Sequence, residues 1–239
     1  MFFRKKMLLL LPLAALLAGC DSDNGTLLSS AREYRYQVTI TNLTAGQPLS
    51  PAAVVLHSPS WQAFTLGDSA SVALEKLAEG GDNSDFITAA DADSNVLSAA
   101  SGLGVIVPGA SEQITASASV SSGDEVLMTW ASMPVNTNDG LAAIGGVDLS
   151  DLAVGESTMF LAISYDAGTE ANTESADTVP GPAASGLAEG FNAVRDDVRD
   201  AVYIHTGVVT QDDGLSTSTL GGRQRWDNPI ASVRVERLQ

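Results

Sequence analysis

Hydrophobic and polar residues alternate along several short segments, which is the pattern of half-buried β-strands. In residues 34–41, aromatic or branched side chains at every second position are separated by polar ones. Similar signals predict five further strands, over residues 53–57, 113–120, 126–133, 158–165 and 231–238.

One short helix is predicted between these strands. Ser69 is placed to cap it, apolar residues between positions 72 and 77 follow at near-helical spacing, and Gly80 and Gly81 end it. Few helices, and strands joined by loops of unequal length, are typical of an antiparallel arrangement. The sequence therefore predicts a mainly β fold, an antiparallel β-sandwich with long loops and one or two short helices.

The amino terminus has the pattern of an export signal. Three basic residues at positions 4–6 precede an apolar run over residues 7–18, which is shorter than the roughly 20 residues of a membrane-spanning helix. The run ends in Leu-Ala-Gly-Cys at positions 17–20, which resembles the bacterial lipobox. We therefore expect residues 1–19 to be a lipoprotein signal peptide and Cys20 to be the lipidated residue.

The next residues are short, polar and contain glycine, which is typical of a flexible tether. We expect residues 20–33 to be the lipidated cysteine and its tether, and residues 34–239 to form one domain. This places the protein in the bacterial cell envelope, held to a membrane by lipid and facing the periplasm or the exterior. Asp21 directly after the cysteine resembles a signal for retention in the inner membrane.

The composition narrows the possible functions. The chain has 239 residues and a formal net charge of −17, so it lacks the basic surface that nucleic-acid binding requires. It contains two histidines and one cysteine, which argues against zinc sites and disulfide frameworks.

Acidic residues follow two of the predicted strands. Asp139 lies in an Asn- and Asp-rich loop after one strand, and Asp166 and Glu170 lie in the turn after another. If the two loops share one end of the sheets, the three carboxylates repel one another unless a cation neutralises them. Flexible loops rich in oxygen donors favour Ca²⁺ over Mg²⁺, so calcium is the predicted ligand.

Several ordered blocks resemble the spondin amino-terminal domain as found in bacterial lipoproteins. They are Asn-Thr-Asn-Asp at 136–139, Tyr-Asp-Ala-Gly-Thr-Glu at 165–170, Val-Pro-Gly-Pro at 179–182, the segment 231–237, and the earlier segment from His57 to Gly80. The resemblance implies a C2-like β-sandwich and a calcium site at Asp139, Asp166 and Glu170. Glu170 stands where the animal pattern has aspartate. In animals the domain belongs to matrix and adhesion proteins.

Two other functions compete with a binding module. Gly67-Asp68-Ser69 copies the nucleophile block of one esterase class, but no aspartate lies three residues before His205 to complete such a site. A hydrolase using Ser69 or paired loop carboxylates, and a purely structural envelope lipoprotein, are the alternatives. The favoured prediction is a membrane-anchored, calcium-binding extracytoplasmic binding or adhesion module without catalytic activity, whose ligand is an unknown protein or glycan.

Overall fold

The computed structural model describes residues 31–184 and 190–239. The predicted signal peptide, Cys20 and most of the predicted tether lie outside these residues. Within the described residues, every helix falls short of the length and apolar character that a membrane span requires.

The described residues form nine strands, two α-helices and two short 3-10 helices. The strands are β1 (Arg32–Asn42), β2 (Ala53–His57), β3 (Val96–Ser101), β4 (Ser111–Val120), β5 (Leu127–Ser132), β6 (Gly140–Asp148), β7 (Ser157–Asp166), β8 (Tyr203–Ile204) and β9 (Ala231–Arg237). The helices are α1 (Val72–Gly80) and α2 (Ser84–Asp91), and the 3-10 helices cover Gln211–Asp213 and Gly222–Gln224.

All strand pairs are antiparallel, and β7 joins the two layers because it changes partner halfway along its length. Its residues 157–162 pair with β9, and residues 163–166 pair with β6. The front sheet is β4, β1, β9 and the first half of β7. The back sheet is the second half of β7 with β8 on one side and β6, β5, β2 and β3 on the other. The predicted mainly β, antiparallel fold is confirmed.

The main core lies between the two sheets. Tyr36, Val38 and Ile40 alternate inward along β1, as the sequence pattern requires, and belong to one apolar cluster with Met128 and Trp130 of β5. Burial of these large side chains supplies the main driving force for bringing the sheets together.

A second apolar layer covers the outer face of the back sheet. Leu74 and Leu77 of α1 and Phe86 of α2 form a cluster with Val55 of β2 and Leu141 of β6. The back-sheet strand β2 is therefore buried on both faces, which is why its sequence lacks alternation.

The start of α1 differs from the prediction. Ser69 does not cap the helix. The cap is Ser71, whose side chain accepts a hydrogen bond from the backbone N–H of Leu74 (3.2 Å), while the Ser69 hydroxyl donates to the carbonyl of Asp200 (2.8 Å). The predicted end of the helix is correct, since Gly81 adopts the left-handed conformation at its carboxyl terminus (φ 69°).

Candidate metal centre

Strand pairing brings the two predicted loops to one end of the back sheet. Gly140 at the start of β6 pairs with Asp166 at the end of β7. Asp139 therefore lies beside Asp166, and its carbonyl accepts a hydrogen bond from the N–H of Ala167 (3.1 Å).

The Asp139 side chain is fully buried, and only one of its two carboxylate oxygens accepts hydrogen bonds from the described residues. Its Oδ2 accepts hydrogen bonds from the backbone N–H groups of Thr169 (2.7 Å) and Glu170 (3.1 Å). Its Oδ1 has no hydrogen-bond partner among the described residues. Burial, and then the neighbouring Asp166, raise the pKa of Asp139 to about 7. The carboxylate therefore has one oxygen free to bind a cation.

Asp166 is the last residue of β7, and Glu170 lies in the turn that follows. Asp166 Oδ1 accepts from the N–H of Gly168 (2.9 Å) and Oδ2 accepts from the Asn172 side-chain amide (2.6 Å). Burial raises the pKa of Glu170 to about 8, with further contributions from Glu79 and Asp139. Asp166 and Glu170 thus both interact electrostatically with the Asp139 carboxylate.

Other acidic side chains interact with this cluster. Glu79 of α1, Asp196 and Asp197 all contribute repulsion to the cluster carboxylates. In the part of the chain that the structure describes, no lysine or arginine forms an ion pair with Asp139, Asp166 or Glu170. Within the described ranges, negative charge therefore accumulates here without a direct ion pair to these three carboxylates.

Gly168 lets the turn fit against a neighbouring segment. Its φ of +70° favours glycine, and a Cβ at this position would lie 2.5 Å from the backbone nitrogen of Ala201 and closer still to its carbonyl oxygen. The glycine of the Asp-Ala-Gly-Thr motif is therefore required by close backbone packing.

Glu174 is a buried acidic residue near the cluster that the sequence analysis did not single out. Its Oε1 accepts from the N–H of Val209 (3.2 Å), whereas Oε2 has no partner among the described residues. Burial raises its pKa to about 7, and Asp166 adds to this shift. The repeated Thr-Glu pair at 169–170 and 173–174 is a sequence signal that would have identified it.

The residues considered for other chemistry are buried or bonded to the backbone. His205 Nδ1 accepts from the N–H of Gly207 (2.9 Å), whereas its Nε2 has no hydrogen-bond partner among the described residues. His57 and His205 are both buried, and burial lowers the pKa of each. Among the described contacts, the Ser69 hydroxyl bonds to a backbone carbonyl and to neither histidine.

Over residues 31–184 and 190–239, no three His, Cys, Asp or Glu side chains are grouped as a ready-made metal centre. A cation at Asp139 would accordingly need uncharged oxygen ligands as well as carboxylates. No family model matches the chain. No curated protein matches it either. The resemblance to the spondin amino-terminal domain therefore remains a prediction from the motifs.

Proposed function

We propose that the protein is a membrane-anchored, calcium-binding module that faces away from the cytoplasm and binds a protein or glycan without catalysing a reaction. The observation that carries the calcium proposal is the buried, unpartnered Oδ1 of Asp139 beside two further carboxylates. An unsatisfied charged oxygen in a buried position is costly unless a cation or a proton neutralises it.

The chemistry of the available donors favours calcium. Asp139, Asp166 and Glu170 would hold the ion, and uncharged loop oxygens and water would complete its shell. Ca²⁺ accepts six to eight oxygen ligands in flexible geometry, whereas Mg²⁺ needs a near-ideal octahedron. Because Asp166 ends β7, Glu170 follows it and Asp139 directly precedes β6, the ion would fix the two loops against each other.

Calcium titration of the full chain, calorimetrically and after removal of metal by a chelator, tests this site. We expect a dissociation constant of about 10⁻⁴ to 10⁻³ M, the range of extracellular modules. Calcium at about 100 times that constant would stabilise the fold by about 2.7 kcal/mol. For a chain of this size the melting temperature would rise by roughly 5–10 °C.

Two matched variants test whether the calcium binds at Asp139. Asp139→Asn removes the unpartnered oxygen and should abolish calcium binding. Asp151→Asn makes the same charge change at an exposed position and should leave binding unchanged. If the Asp139→Asn protein binds calcium as tightly as the unmodified chain does, the proposal that Asp139 binds the ion is wrong. If calcium has no effect on either protein, the structural envelope protein becomes the better proposal.

The anchor is tested separately. Cys20→Ala should move the protein from the membrane fraction to the soluble fraction, because stable anchoring requires the acyl chains that this cysteine would carry. Retention of the Cys20→Ala protein in the membrane would contradict lipidation at this residue.

A further inference from the structure

A cavity of about 340 Å³ lies on the outer face of the back sheet, where α1 and α2 leave the strands uncovered. One wall is the loop over residues 58–66, which carries Trp61 and Phe64, and Tyr165 of β7 lies opposite. The floor contains Thr129 of β5. The volume falls in the range of about 300–1,000 Å³ that is typical of small-molecule sites.

The wall loop is fixed at both ends. The N–H of Ser58 donates to the carbonyl of Asn95 (2.8 Å), and the N–H of Gly67 donates to the carbonyl of Val202 (2.8 Å). The cavity is therefore formed in advance, so that little ordering of the loop is needed when a ligand enters.

The aromatic side chains are held in position by other rings. The Trp61 ring lies 4.7 Å from the His57 ring and 6.3 Å from that of Phe86, between centroids. The Phe64 ring meets Tyr165 edge-on at 4.9 Å. Trp61, Phe64 and Tyr165 each remain partly exposed, so they present fixed apolar surfaces to the cavity.

A bulge in β6 forms part of the floor. Trp130 pairs with Ile144 and Met128 pairs with Val147, so that Gly145 and Gly146 together oppose Thr129. The N–H of Gly146 donates to Thr129 Oγ1 (3.0 Å). Glycines in a bulge allow a ligand to approach the strand backbone closely, and bulges of this kind are frequent beside binding sites.

The cavity is neutral in a strongly acidic chain. None of the described residues that line it is Asp, Glu, Lys or Arg, although the chain contains 29 acidic and 12 basic residues. A charged ligand would lose its water of solvation there without gaining an ion pair. Aromatic surfaces suit the C–H face of a sugar ring, and the exposed Gln62 side chain suits its hydroxyls.

We propose that this cavity binds a neutral oligosaccharide of hexose type. The inference rests on the proposed role as a binding module, and it does not depend on the calcium site. It assigns the aromatic loop over residues 58–66 as the surface that recognises the ligand.

The test is calorimetric titration of the full chain with maltotriose, cellotriose, laminaritriose and chitotriose, and with trigalacturonic acid as the charged comparator. Each titration is made once with calcium and once with chelator. We expect at least one neutral trisaccharide to bind with a dissociation constant of about 1 mM or tighter, and the charged one to bind at least about tenfold more weakly. Sugar binding in either buffer supports the proposal that the cavity binds a sugar. The calcium proposal is tested by the calcium titration alone, so the two proposals can fail independently.

Matched glycine variants locate the binding. Added side chains meet open space at both Gly145 and Gly104, and neither glycine has a positive φ. Gly145→Val would fill the cavity and should weaken sugar binding at least about tenfold, while Gly104→Val, far from it in the chain, should not. Trp61→Leu provides a second cavity variant if Gly145→Val does not fold, and it should weaken binding at least about fivefold.

Three results would overturn the proposal. The first is that no neutral trisaccharide binds below about 10 mM. The second is that a folded Gly145→Val protein, or the Trp61→Leu protein, binds sugar as tightly as the unmodified chain. The third is that trigalacturonic acid binds as well as the neutral sugars, because the neutral lining would then not select the ligand.

Discussion

Replacing Gly168 with alanine measures how tightly the turn after β7 is packed. At a φ of +70° an alanine costs about 1–2 kcal/mol of backbone strain. The added Cβ would also lie 2.5 Å from the backbone nitrogen of Ala201. Because the obstacle is backbone, no side-chain rotation relieves the overlap, and the segment around Ala201 must move.

That movement has a cost that the structure defines. Val202 next to it is fully buried, and its N–H donates to the carbonyl of Asp68 (2.9 Å). Exposing a buried valine costs about 1.5–3 kcal/mol. We therefore expect Gly168→Ala to destabilise the fold by about 2.5–5 kcal/mol in total. This would lower the melting temperature by roughly 5–20 °C.

Gly155→Ala is the matched control. Gly155 has a similar φ of +83°, and a Cβ there meets nothing within 4 Å. The Gly155→Ala protein therefore has the cost of backbone strain without that of steric overlap. Urea unfolding of both variants should show Gly168→Ala to be the less stable by about 2–3 kcal/mol. Equal destabilisation of the two proteins would refute the close packing of Gly168 against Ala201.

Three further predictions concern other parts of the chain. With metal removed by a chelator, protonated Glu174 should stabilise the fold fully below about pH 4.5, and this stabilisation should be lost as pH rises through the folded pKa of about 7. The urea midpoint of the Glu174→Gln protein should therefore fall less between pH 5 and pH 8 than that of the unmodified chain. Ser71→Ala should cost about 1 kcal/mol through loss of the helix cap, and thermal melting should show a smaller effect for Ser69→Ala. Arg195→Gln leaves the buried Glu75 carboxylate without its ion pair (2.7 Å) and should cost about 3 kcal/mol or more. Adding Glu75→Gln to Arg195→Gln should recover part of that loss in urea unfolding, and no recovery would contradict a cost that comes from the unpaired Glu75 side chain.

The sequence indicated which loops would be neighbours, but not the environment of their carboxylates. Acidic residues after two adjacent strands indicate that loop carboxylates can meet, and strand pairing does place Asp139 beside Asp166. The burial of Asp139 could not be predicted, because it depends on the turn around Thr169 and Glu170, whose N–H groups fold back onto its carboxylate. Glu79 also reaches the site from α1, far away in the sequence, and only the packing of the helix on the back sheet puts it there.

The fold likewise has features that the sequence determined and others that only the tertiary structure decided. Alternation in β1 determined a half-buried strand, because one of its faces meets the core and the other meets water. No such signal marked β6, whose first half is buried on both faces and whose second half contains two glycines. Local sequence therefore determined which strands have one solvent-exposed face and one buried face. The change of partner along β7 and the layer of helices outside the back sheet were decided only in three dimensions, because they depend on contacts between residues that are distant in the chain.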